Sequence, residues 1–174
     1  SVSTPLFQLG FKGEGGDSLA NLRRQTADEI LLEILCGESS PLYRRLYDGG
    51  LINGTFEYEV LAGRDYLCCM YGGESREPKK VREAICQEAQ RMAAEGIDPA
   101  AFRRCKKAPY GRYIGMFSRL ESVASLMMGS YFAGLENMYE LLDWVRNLTL
   151  PELEQRLRED LDPRYSALSV GNPA

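Results

Sequence analysis

The apolar positions change period several times along the chain, and each change predicts an element. Over residues 19–36 the side chains of Leu19, Leu22, Ala27, Ile30, Leu31, Ile34 and Leu35 fall mainly on one face at helical spacing. Asp17 or Ser18 can cap that helix and Gly37 can stop it. Before it, residues 4–12 alternate in part as a strand does, and the glycine-rich GEGG at 13–16 predicts a loop. Ser39, Ser40 and Pro41 give a cap followed by proline at the first helical position, so a short helix is expected over 42–47, ended by Gly49 and Gly50. Residues 55–61 and 66–71 alternate around a turn at 62–65, which predicts a β-hairpin.

The second half is helical in pattern. Residues 78–94 are amphipathic and closed by Gly96, and Asp98 with Pro99 opens the next helix. A single helix over 99–132 would be about 50 Å long at ~1.5 Å per residue, so Pro109 and Gly111 are expected to kink or divide it. Two shorter helices follow near 136–146 and 151–161, the latter announced by Thr149, Pro151 and Glu152, and residues 164–170 read as a last strand. Strands interrupt the helical runs without a regular βαβα alternation. The expected class is therefore α+β, an antiparallel sheet covered by helices, with residues 1–174 as a single domain.

Composition narrows the function classes. With 44% hydrophobic and 26% charged residues, 174 residues can bury a full core. No run approaches the roughly 18 to 20 apolar residues of a membrane span, and no secretory leader opens the sequence, so no membrane partner is expected. A net charge of −4 gives no field that would gather phosphate backbones, so nucleic acid is not expected either. The five cysteines have no C-x-x-C spacing and sit mostly among apolar neighbours, as small hydrophobes of a reducing cytoplasm do. The chain has no histidine.

Several landmarks occur in a telling order. A strand and a long helix lead to Gly37, Ser39, Ser40, Leu42, Tyr43 and Leu46. A glycine turn, Leu51, a hairpin, an amphipathic helix and Gly96-Ile97 come next, then Gly111, Glu121, Ser122 and the opening Leu148, Thr149, Leu150, Pro151, Glu152. In this order the chain resembles the carboxy-terminal, non-metal-binding domain of pitrilysin or insulinase-type zinc metallopeptidases, most of all the bacterial processing-peptidase-like, YmfH-related members. The resemblance covers nearly all of the chain. It implies a metallopeptidase-like fold and a partner, either an amino-terminal catalytic domain or a homologous subunit. That partner carries zinc on an inverted H-x-x-E-H motif, and the two halves enclose a peptide substrate in a chamber. A chain without histidine cannot supply that motif, so no cofactor is expected here and zinc is expected on the other half. The implied role is the substrate-embracing half of a zinc endopeptidase, inactive alone and cytoplasmic. The alternatives are a scaffold or interaction module that kept the fold and lost catalysis, or, more remotely, a free-standing enzyme using Tyr, Arg and Glu without metal.

The resemblance also shows a departure. Many relatives carry L-R-E-x-x-G-L-x-Y after the position of Leu46, with an arginine and a tyrosine that reach the substrate. Here the run is one residue shorter, with Tyr47 in place of the arginine and Asn53 in place of the tyrosine. The turn over 43–53 feeds the strand that starts at Thr55, which sets Arg44, Arg45, Tyr47 and Asn53 as the expected substrate-binding residues, nearest the facing zinc. A guanidinium can stabilise a peptide carbonyl or carboxylate. The ordinary reading of Arg44 and Arg45 is a solvated helix face, and that of Tyr47, Tyr58 and Tyr71 is packing. No catalytic residue is assigned to this chain. Ser39 and Ser40 have no histidine base and suit capping. Glu57 and Glu59 alternate with Phe56, Tyr58 and Val60 and should face solvent. The apolar helix over 114–132, with Met116, Phe117, Leu120, Val123, Met127, Met128 and Tyr131, reads as core or domain-interface packing and not as a cofactor box, with core preferred over an exposed groove.

Overall fold

The computed structural model of the chain describes residues 4–63, 65–116, 120–135, 137 and 139–173. The elements run β1 (Leu6–Glu14), α1 (Ser18–Cys36), α2 (Pro41–Asp48), β2 (Glu57–Gly63), β3 (Tyr66–Glu74), α3 (Pro78–Glu95), α4 (Pro99–Met116), α5 (Leu120–Ala133), α6 (Glu140–Asn147) and α7 (Leu150–Asp160). A short 3-10 turn (Pro163–Tyr165) and β4 (Ser166–Gly171) complete the order. The four strands form one antiparallel sheet in the order β2-β3-β1-β4.

The period of two along β1 decides which face is covered. Phe7, Leu9 and Phe11 are buried, while Leu6, Gln8 and Lys12 are exposed. β3 repeats the pattern with Leu67, Cys69 and Tyr71, and β2 adds Val60. Against this face lies α1, whose Ile30, Leu31, Leu32 and Leu35 are at most 1% exposed. Val81 and Ile85 of α3 and Leu153 and Leu157 of α7 join the same core. Glu57 and Glu59 face outward as the alternation requires.

Three expectations needed correction. The loop over 13–16 is half strand: Gly13 and Glu14 belong to β1. Gly13 is there for packing, since a Cβ on it would run into Asp160 Oδ1 and lie 2.8 Å from Leu67. Nor does the long helix divide at Pro109 or Gly111, because α4 continues through both to Met116. Phe102, Cys105 and Pro109 all face the interior, so the buried stripe carries the helix past the proline, and Lys106 Nζ ties it to the Arg146 and Leu148 carbonyls at 2.8 and 2.6 Å. Third, the core preferred for residues 114–132 is not formed by the part of α5 that is described. Met127, Met128, Tyr131 and Phe132 are 55%, 62%, 78% and 79% exposed. Helical spacing identifies an apolar face but not what covers it. Phe117 and Glu136, and the side chains of Met116, Leu120 and Ser122, lie outside the described residues.

Candidate substrate-contact site

The turn between α1 and β2 is built by local rules. Ser40 caps α2, its Oγ accepting from Tyr43 N at 3.1 Å, and Pro41 occupies the first turn where no N–H is needed. Leu42 and Leu46, four apart, face the core at 1% exposure each. That leaves Arg44, Arg45 and Tyr47 on the outer side, all exposed. Neither guanidinium has an ion pair or hydrogen bond among the described residues, and Tyr47 stacks on Tyr43 with centroids 5.8 Å apart. That ring begins a ladder running inward through Phe56 to Tyr71, whose hydroxyl donates to Leu32 O at 3.0 Å.

Beyond Gly50, at φ 66, the chain turns back and Leu51 N donates to Leu46 O at 2.9 Å. Asn53 follows, with both ends of its amide engaged. Its Oδ1 accepts from Thr55 N at 2.9 Å and Thr55 Oγ1 at 2.6 Å, and its Nδ2 donates to Glu74 Oε2 at 2.9 Å. The structure thus gathers Arg44, Arg45 and Tyr47 on one exposed helix side, with Asn53 bound into the adjoining turn.

Sequence reasoning missed a cleft of about 430 Å³ between α1, β2 and α4, lined in part by Gln25, Glu29, Glu33, Tyr58, Glu59 and Cys105. The signal was present as Gln25, Glu29 and Glu33, a polar stripe at a spacing of four whose two glutamates interrupt an otherwise buried run from Thr26 to Cys36. Tyr58 donates its hydroxyl to Glu33, and Ser39 Oγ donates to Glu33 Oε1 at 3.5 Å. Burial, with the Glu33 charge, pushes the Cys105 thiol up, so it is no ready nucleophile. Among the described residues no group of three or more Cys, Asp or Glu is placed to hold a metal ion. A zinc site needs about four ligands, usually including histidine, and this donor set does not fit one.

Residues 1–108 match the model of the peptidase M16 inactive domain, which is more than half of the chain. The chain belongs to the peptidase M16 inactive-domain family. It is the non-metal-binding half of the M16 fold, related to the insulinase and pitrilysin group. The uncharacterized zinc protease YmfH of Bacillus subtilis is 24% identical over 163 residues, spanning 92% of this chain and 38% of that protein. Among solved structures, one described as an M16-like peptidase from Alicyclobacillus acidocaldarius superposes with a TM-score of 0.89 at 24% identity, over 97% of this chain and 41% of that one. Another, described as the inactive peptidase domain of a zinc protease from Bordetella parapertussis, gives 0.83 at 14% identity over 100% and 93%. The M16 inactive domain thus spans about two fifths of the YmfH and Alicyclobacillus chains and nearly all of the Bordetella one.

Proposed function

We propose that this M16 inactive domain is the substrate-embracing half of a two-domain zinc metallopeptidase, inactive alone and completed by a zinc-carrying catalytic half. The observation that carries this reading is the exposed side of α2, where Arg44 and Arg45 stand beside Tyr47 with no acidic partner among the described residues. A solvated pair of guanidiniums is available to a peptide carbonyl or carboxylate. Its five free cysteines support a reducing cytoplasm as the place of action.

The test uses the intact two-domain protein. Arg44→Ala with Arg45→Ala should lower peptide turnover about tenfold or more, roughly 1.4 kcal/mol of transition-state stabilisation, with zinc content and folding kept. Unchanged kinetics in a folded, zinc-loaded double variant would make both arginines ordinary surface charge. Stoichiometric zinc with chelator-sensitive hydrolysis by this domain alone would overturn the reading as a whole.

A second reading, a scaffold of the same fold, is favoured by one observation. Asn53 stands where relatives carry a substrate-reaching tyrosine, and its amide is engaged within its own turn. An H-x-x-E-H motif in the companion domain or subunit decides for the peptidase, and its absence there decides for the scaffold.

A further inference from the structure

Beneath the central β1–β3 pair of the sheet, α1 and α7 meet at a charge cluster that the proposed function does not use. Asp28 and Asp160 are both 0% exposed. Arg156, with its side chain 14% exposed, pairs through Nη2 with Asp160 Oδ2, sets Nε 3.8 Å from Asp28 Oδ1, and sends Nη1 to Glu159 Oε2 at 2.8 Å. Among the described residues, the remaining charged or titratable groups facing the cluster are Arg24, on α1, and the buried Cys69 thiol of β3. Gly13 of β1 closes the site, leaving no room for a side chain against Asp160.

Counting donors shows what is missing. Asp28 Oδ1 and Oδ2 and Asp160 Oδ1 are buried without a donor among the described residues, yet both carboxyl groups converge on the one Arg156 guanidinium. Two carboxylates only accept, whereas a carboxylic acid donates to a carboxylate. Arg156 is already shared with Glu159 and its Nε stops 3.8 Å short of Asp28, while Arg24 gives its Nη1 to the Glu14 carbonyl; this leaves two buried anions incompletely neutralised, and an uncompensated buried charge is costly. We infer that Asp28 and Asp160 share one proton in the folded domain, and that this proton joins α1 to α7 as a pH-sensitive clasp.

The direction of the pH effect follows. Burial first, and the Asp160 charge next, push Asp28 well above the ordinary carboxylate range, against the pull of Arg156. Unfolded, an aspartate titrates near ~3.9, so above that value the folded chain holds the extra proton. The clasp's contribution is complete below the unfolded value and is lost as pH rises through the folded one. Alkalinisation then sets two anions against Arg156 and loosens α7 from α1.

Infrared spectroscopy and thermal melting of this chain from mildly acid to alkaline pH test the clasp. The wild-type chain should show the carbonyl stretch of a protonated carboxylic acid at neutral pH, and Asp28→Asn should lose it. Asparagine keeps the shape and a donor without the titration. The melting temperature of Asp28→Asn should therefore gain on the wild type as pH rises. A wild-type chain without that band at neutral pH, or melting curves that move in parallel with pH, would overturn the inference. Should Asp28→Asn not fold, the wild-type band and its loss in Asp160→Asn decide the question in the same way.

Discussion

Asn53 sits in an exposed turn with three hydrogen bonds to Thr55 and Glu74, and Glu74 N returns one to Thr55 Oγ1 at 2.9 Å. These bonds pin the chain leaving α2 to the end of β3. Asn53→Ala should cost about 1 kcal/mol, since solvent competes for each exposed bond, and chemical denaturation should show a lower midpoint with unchanged slope. An activity loss in the two-domain protein without that stability loss would instead set Asn53 against substrate. Burial pushes the Cys36 thiol up to about 12, which keeps it protonated and suits its reading as a small hydrophobe. Residues whose partners are near in sequence were legible: Ser40 and Asp17 cap helices as their positions suggested. The meeting of Asp28 with Arg156 and Asp160 was not, because no local spacing encodes a contact between α1 and α7.

At the scale of elements, α7 shows a start written entirely in sequence. Thr149 Oγ1 accepts from Glu152 N at 3.4 Å, and Glu152 Oε2 accepts from Thr149 N at 2.7 Å, a reciprocal capping box that spans Pro151. Hydrogen bonds from Thr149 hold the Glu152 carboxyl below its ordinary range, so the box keeps its charge at neutral pH. Thr149→Ala should destabilise the chain by about 1 kcal/mol, with Thr149→Ser restoring most of the loss in the same denaturation experiment. Equal stability of all three would mean that tertiary packing alone holds this end. The limits of element reading show in α4 and β1. Proline predicts a break from the backbone's viewpoint, but the inward-facing stripe of Phe102, Cys105 and Pro109 holds the helix together. Gly13 predicts a turn by composition, yet it belongs to a strand because Asp160 packs where its side chain would be.

Across the whole molecule, the helices packed on the sheet make one core, and the order of landmarks in the sequence was enough to identify the M16 inactive domain. What periodicity could not supply was the environment of each apolar stripe. α1 and α5 are both rich in apolar residues; Leu31 is 0% exposed, whereas Tyr131 and Phe132 are 78% and 79% exposed. The two stripes should answer truncation oppositely. Leu31→Ala removes a side chain from close-packed surroundings and should cost about 2–5 kcal/mol, because the cavity left behind relaxes only in part. Tyr131→Ser with Phe132→Ser removes two larger rings from solvent and should stay within about 0.5 kcal/mol of the wild type, as surface substitutions do. Urea denaturation of this chain reads both. A double variant as damaged as Leu31→Ala would restore α5 to the core, while a neutral one leaves its apolar face as surface that the folded domain does not need for its own stability.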